Sequence, residues 1–184
     1  IQQMTAGTPV GNLGLIMIPF FGGAGAPSWN MDARGALLGL TEDHGKGHVL
    51  RAIIEGLADE AKKESDLMAK DSSDTLQRLI TYGGSNPIWN QTLANVFNKP
   101  LDAVSIADTN ALGAAMCAAA GVGIYEDVTS AGKAMAPEVT TYAPEEKAAS
   151  FYKALYSEVY EGLYDSIAEK LSLGRKLALA FAGE

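Results

Sequence analysis

Apolar positions along this chain first fall into short blocks bounded by glycine, then into longer stretches with a helical period. The block Leu13–Phe21 (LGLIMIPFF) is nearly continuous and ends at Gly22-Gly23. Its length and flanks predict a strand buried on both faces rather than a helix. A small-residue loop, Gly22–Pro27, leads to Trp29, a polar turn Asn30–Arg34 and a second apolar stretch, Gly35–Leu40. From Gly47 to Lys70 the period changes. Val49, Ile53, Leu57 and Ala61 recur every fourth residue and Leu50 and Ile54 widen the stripe, which predicts an amphipathic helix. Arg51 and Glu55 form an i,i+4 pair of opposite sign on it. Past the polar break Asp71–Asp74, Leu76–Tyr82 reads as a strand closed by Gly83-Gly84, and Pro87–Phe97 as a helix with Pro87 as its first residue. Leu101–Ile106 is the next strand, and Asp108 or Thr109 can cap a helix over Asn110–Ala120 that stops at Gly121 and Gly123. Strand, glycine and helix alternating in this way imply a mostly parallel sheet covered by helices.

Val122–Ala143 shows little periodicity and is expected to be irregular. Pro144 then opens a last long helix, with Glu145 and Glu146 in its first turn, where the helix dipole favours acids. Phe151, Leu155, Val159, Leu163 and Ile167 make one stripe with a strict spacing of four, and Tyr152, Tyr156, Tyr160 and Tyr164 make a second one residue along. The tyrosines are expected to form packing surface with phenol tips in water, and to meet something beyond the domain's own core, a partner domain or a second subunit. Leu171–Glu184 is expected to continue as helix, weakened at Gly174. The chain opens at Ile1 without an initiator methionine and reads as a fragment or a processed piece.

Charge narrows the class. Lys and Arg total 14 against 22 Asp and Glu, a net charge of −8. Such a surface repels polyphosphate backbones and anionic bilayers, so neither nucleic acid nor membrane is an expected partner. Single Cys117 allows no internal disulfide, and no apolar run approaches the roughly 20 residues of a bilayer span. A soluble, cytoplasmic α/β domain is the expectation.

The sharpest candidate for chemistry is Tyr82-Gly83-Gly84-Ser85-Asn86-Pro87, where a strand hands over to a helix. Glycines there let a ligand approach the backbone, the following helix N-terminus offers N–H donors to anions, and ligands bind at the carboxyl ends of parallel strands. The plain alternative is a tight turn in which Ser85 or Asn86 caps the helix. No GxGxxG or GxxxxGK[ST] occurs, so neither a nicotinamide oxidoreductase nor a P-loop is supported. The small residues of Ala111–Ala120 fit close helix–sheet packing, with Cys117 a buried apolar residue. His44 and His48, separated by Gly45 and Gly47, make a poor metal pair, and His48 is expected to cap or pack near a helix start. Asp32 with Arg34 is expected to be a loop salt bridge or part of a cleft wall, and Asp59-Glu60 and Glu42-Asp43 to be solvated acids. No general base with a tuning partner is evident, so the residues alone point to a ligand-binding half-site rather than a complete enzyme.

Several of these segments together resemble a known family. Gly23–Gly35 (GAGAPSWNMDARG) is similar to the GERTPxWDPxARG segment of the FGGY carbohydrate kinases, xylulokinase-like members especially. Gly35–Leu40 followed by His48–Gly56 resembles the family's second signature, Tyr82–Gln91 (YGGSNPIWNQ) its GGGAxSPLWxQ turn, and Asp108–Ala120 (DTNALGAAMCAAA) its EAAALGAAxLAA helix. Departures from the pattern are Ala24-Gly25 for Glu-Arg, Asn30 for Asp, Met31 for Pro, and Thr81-Tyr82-Gly83 for the glycine triplet.

The resemblance implies an actin-like (hexokinase/Hsp70-type ATPase) α/β fold, a mixed sheet flanked by helices. Residues 1–184 would be the C-terminal nucleotide-binding lobe, lacking its first strands, with 144–184 its C-terminal helical segment. It implies ATP and Mg²⁺ as cofactors, with Gly83, Gly84, Ser85 and Asn86 against the nucleotide and the helix from Ala111 beside them. It assigns no catalytic residue or metal ligand here, because those and most sugar contacts would lie upstream of Ile1. The implied activity is phosphorylation of a small sugar or polyol, a pentulose such as xylulose foremost, with gluconate or glycerol next. The implied partners are that substrate, the N-terminal lobe and a second copy in a homodimer. The competing reading is a non-catalytic nucleotide- or partner-binding module of the same fold.

Overall fold

The computed structural model of the chain describes residues 2–25, 28–70, 76–83, 86–106 and 108–183. In chain order the elements are α1 (Gln2–Thr5), a 3₁₀ turn (Asn12–Gly14), β1 (Ile16–Ile18), β2 (Ala36–Leu38), α2 (Lys46–Lys70), β3 (Leu79–Thr81) and α3 (Pro87–Phe97). There follow β4 (Leu101–Val104), α4 (Thr109–Gly121), α5 (Val128–Ala134), β5 (Val139–Tyr142), α6 (Glu146–Leu155), a π-helical turn (Tyr156–Tyr160) and α7 (Glu161–Ala182).

Two small sheets result. β1 and β2 pair antiparallel, Ile16 opposite Leu38 and Ile18 opposite Ala36. In the other, β3 runs parallel to β4 with Leu79 opposite Leu101, and β4 runs antiparallel to β5 with Leu101 opposite Tyr142. The sheet is therefore mixed, and the mostly parallel arrangement expected from the alternation is limited to the β3–β4 pair. Asp102 pins the register, accepting from Thr141 Oγ1 at 2.6 Å on one side and from the Arg78 guanidinium on the other. These two donors, Thr141 foremost, hold its carboxyl below the ordinary value.

The long block Leu13–Phe21 delivers only a three-residue strand, because the residues before it form a turn. Gly11, Asn12, Leu13 and Gly14 all take left-handed backbone, with φ of 75°, 49°, 55° and 84°. Leu15, Met17, Ile18 and Phe20 are nevertheless buried, as expected of a strand covered on both faces. The irregular stretch 122–143 holds two unanticipated elements. Asp127 caps α5, its Oδ1 accepting from Ser130 N at 2.6 Å, and β5 adds a mostly exposed edge to the sheet.

α2 lies where expected but turns a different face inward. Arg51, Ala52, Ile54, Glu55, Gly56, Ala58 and Asp59 are buried, whereas Leu57 of the apolar stripe is exposed. Small residues decide the rotation. A Cβ on Gly56 would stand 2.1 Å from the Met17 carbonyl oxygen, so this face brings the helix within backbone distance of β1. The charged members of the face are paired: Arg51 Nε donates to Glu55 Oε1 at 2.7 Å, and the same oxygen accepts from Tyr152 Oη at 2.6 Å and from Gly11 N at 3.1 Å.

The tyrosine stripe therefore has a different destination from the one its sequence implied. Tyr152 is fully buried against α2, and the Tyr160 hydroxyl lies 3.1 Å from the Gly56 carbonyl and 3.0 Å from Glu60 Oε1. Tyr164 meets Phe20 edge-on at 4.8 Å. The phenol tips of Tyr152 and Tyr160 are turned from water because carboxylates and a carbonyl of α2 accept their protons. Phe151 and Val159 of the neighbouring apolar stripe are exposed in their place.

Candidate functional site

β3 and β4 are parallel, so their carboxyl ends open on the same edge of the sheet, and the segments that follow them stand side by side. After β3 come exposed Tyr82, then Gly83, then Asn86 at the head of α3. After β4 come Ser105, exposed Ile106 and Asp108 at the head of α4. Gly83 has a φ of +87°, a conformation side chains rarely adopt, and a Cβ built on it would meet no atom within 4 Å. The backbone is open to an approaching molecule at that point. Of the four candidate binding residues, Gly83 and Asn86 are brought to this edge; Gly84 and Ser85 lie outside the described residues.

Asn86 is the cap of α3. Its Oδ1 accepts from Ile88 N at 3.1 Å and from Trp89 N at 3.4 Å, and Pro87 has no N–H to give. This corrects the expectation of free donors at the helix N-terminus: the first turn is satisfied from within the chain. What Asn86 has left to offer is its Nδ2 amide. Thr81 Oγ1 donates to Asn90 Oδ1 at 3.1 Å and ties the end of β3 to α3. Asp108 caps α4 in the same manner, Oδ1 accepting from Ala111 N at 2.8 Å.

No Lys or Arg occurs in Tyr82–Gln91 or in Ser105–Gly121. The edge thus presents open backbone, an amide donor, an aromatic ring and an aliphatic side chain, without a cation. That set suits the uncharged heterocycle and ribose of a nucleotide better than its phosphates. The described residues include no group of three His, Cys, Asp or Glu that could hold a metal ion.

α4 departs from its expected role. None of its described residues is buried, its packing is chiefly against α5, and Cys117 is exposed. Close packing on the sheet explains small residues only if the helix lies on the sheet, and here it does not. Arg34 makes no ion pair with Asp32; its Nη1 donates to the Met31 and Ala33 carbonyls at 2.9 and 2.6 Å. His48 does sit at the start of α2, its Nδ1 accepting from Gly45 N at 3.0 Å, with the His44 ring edge-on at 5.4 Å.

Asp59, read from sequence as a solvated acid, is 2% exposed, and its Oδ1 has no hydrogen-bond partner. Burial, with the negative Glu55 and Glu60 nearby, pushes its carboxyl up to about 8. The signal was the spacing: Arg51, Glu55 and Asp59 lie four apart, on one face of α2. Burial likewise raises the Glu60 carboxyl, Lys63 opposing the shift.

Residues 2–122 match the family model described as FGGY family of carbohydrate kinases, C-terminal domain. A glycerol kinase from Gloeobacter violaceus is 38% identical over 116 residues, which are 62% of this chain and 23% of that protein. One from Shewanella sediminis is 38% identical over 133 residues, 71% of this chain and 27% of that protein. The chain thus spans about a quarter of the length of the curated relatives it matches. Among solved structures, the ligand-bound xylulose kinase from Lactobacillus acidophilus superposes with a TM-score of 0.77 at 27% identity, covering 90% of this chain and 34% of the other. Plasmodium falciparum glycerol kinase with ADP, at 24% identity, shares the fold with a TM-score of 0.69 over 82% of this chain and 31% of that one. The fold is the actin-like one of these kinases, and the chain belongs to the FGGY family of carbohydrate kinases.

Proposed function

We propose that this chain is the nucleotide-holding lobe of an ATP-dependent kinase that phosphorylates a small sugar or polyol. The observation that carries the reading is the open edge at the ends of parallel β3 and β4, with uncrowded Gly83 beside Asn86, in a chain of this family. Gly83 admits the nucleotide to the backbone, the Asn86 amide donates to it, and Tyr82 and Ile106 cover its apolar face. Gly84 and Ser85 are included on the motif alone. With no cation on this edge, the charge on the phosphates falls to Mg²⁺ and to the opposite lobe, which would also supply the catalytic base. Transfer in such an enzyme is in-line and depends on positioning and charge neutralisation. The contribution of this lobe is to fix the nucleotide and to exclude water when the lobes close.

For the substrate, the curated relatives are glycerol kinases, whereas the solved structures include xylulose and gluconate kinases. Glycerol joins xylulose as a first substrate to assay. A cytoplasmic location accords with this activity. No helix among the described residues is long and apolar enough to cross a membrane.

The test is steady-state kinetics of the intact enzyme carrying Gly84→Val. The Michaelis constant for ATP is expected to rise about tenfold or more, while that for the sugar or polyol stays within about twofold. Equal effects on both constants would count against the assignment. The capped N-terminus of α3 favours a second reading, a non-catalytic module of the same fold. Phosphorylation of neither glycerol, xylulose nor gluconate by the intact protein, with ADP still bound, would select it.

A further inference from the structure

A cavity of about 310 Å³ lies away from the β3–β4 edge, between the Pro9–Met17 segment, α2 and the Phe151–Leu155 end of α6. Its walls are mainly apolar, Leu15, Met17, Ala52, Phe151 and Leu155 among them, and its polar side chains are Glu55 and Asp59. Its size is at the lower end of small-molecule sites.

The two carboxyls differ. Glu55 Oε1 is satisfied by Arg51, Tyr152 and Gly11. Asp59 is buried, and its Oδ1 has no partner. A buried polar atom left without a partner is costly, and one beside a cavity marks a place for a donor that is not part of the chain. Charge says which donor. On α2, Glu55 is offset by Arg51 and Glu60 by Lys63, while Asp59 faces the negative field of both acids. Tyr156 and Tyr160, the titratable groups opposite on the C-terminal helix, are held neutral by burial and by nearby carboxylates. The segment Pro9–Met17 contains no ionisable side chain. Among the described residues, no cation therefore serves Asp59. The rim is the Gly11–Gly14 turn, where Asn12 and Leu13 hold left-handed backbone without being glycine, strain of the kind that collects at ligand sites.

We propose that this cavity is a second ligand site, for a small amphipathic amine, whose ammonium pairs with Asp59 and whose apolar body lies against Leu15, Met17 and Phe151. Binding would ionise a carboxyl that is mostly protonated at neutral pH, the proton passing to the solvent as the ammonium takes its place. Benzylamine and its neutral counterpart benzyl alcohol are matched probes.

The experiment is calorimetric titration of the intact protein with each probe at pH 7, in two buffers of different ionisation enthalpy. Benzylamine should bind about tenfold tighter than benzyl alcohol, the factor a charged hydrogen bond supplies, and should release close to one proton. Asp59→Asn should abolish both the preference and the proton release while ADP binding is unchanged. Leu155→Trp, which fills the cavity from α6, should exclude both probes. Equal affinity for the two probes, a preference that survives Asp59→Asn, or no binding of either would overturn the proposal. None of these outcomes bears on the nucleotide edge, which ADP reports separately.

Discussion

The contact between α2 and α6 and the edge carrying α4 are built on opposite terms. Against α2, charged and phenolic groups are sealed inside and answered by one another: Arg51, Glu55 and Tyr152 form a closed set around one carboxylate oxygen. At the other edge nothing of α4 is buried, and Ile80 and Tyr82 of the β3 end are 66% and 68% exposed. The first region spends its polar chemistry on holding the lobe together, and the second leaves its apolar chemistry free for whatever closes over it. Mutations within the Arg51–Glu55–Tyr152 set should therefore register as stability, and mutations at the edge as nucleotide affinity.

The contrast is broken most directly at Glu55. Glu55→Ala leaves the Arg51 guanidinium buried without its partner and should destabilise the lobe by about 3–5 kcal/mol in urea denaturation. A loss under about 1 kcal/mol would mean that the network is solvated after all. Gly56→Ala should follow at about 1–3 kcal/mol, because the added methyl group is driven into the Met17 carbonyl oxygen and helix or strand must retreat.

Asp59 sharpens the comparison through pH. Its carboxyl is raised from 3.8 to about 8, so between those values the folded chain keeps a proton that the unfolded chain has lost. Its contribution is complete below about pH 4 and is lost as the pH climbs through 8, at about 1 kcal/mol per unit. Asp59→Asn should flatten that slope, which parallel urea titrations at pH 5, 6.5 and 8 would reveal. The smallest effect belongs to the open edge: Cys117→Ser on exposed α4 should alter stability by less than about 0.5 kcal/mol. A larger loss would show that α4 is covered in the intact protein.

Much of this architecture is legible in the sequence. Pro87–Phe97 is legible in the sequence because Asn86-Pro87 is a strong start signal, and the structure adds a left-handed Asn98 as its stop. The strand–glycine–helix handover at Gly83 was equally plain. The rotation of α2 and of the tyrosine helix is not legible there. The apolar stripe of α2 points to one inner face, yet small residues and the paired Arg51–Glu55 set another, since close approach to β1 outweighs the burial of Leu57. The destination of the tyrosines is hidden for the same reason, because no local pattern shows that α2 holds acceptors for them. β5 was missed because its Val-Thr-Thr-Tyr sequence is largely exposed and its partner β4 lies 35 to 41 residues away in sequence. The occupied donors of α3 follow from Asn86 being its cap, an alternative that the residues alone left open.

The π-helical turn at Tyr156–Tyr160 gives the long C-terminal segment something a regular helix could not. An α-helix advances about 100° per residue, so side chains four apart drift about 40° at each step, and Tyr152 and Tyr164 would end about 120° out of phase. A single wider turn takes back about one residue's advance. It acts as a phase corrector between two docking problems, letting one continuous rod lay Tyr152 and Tyr160 on α2 and then Leu163, Tyr164 and Ile167 on the β1–β2 layer. The turn thereby absorbs one residue. Losing a residue within it would restore ordinary helix and leave the rings beyond it in phase, whereas straightening the turn at unchanged length would swing every one of them about 100° off its seat.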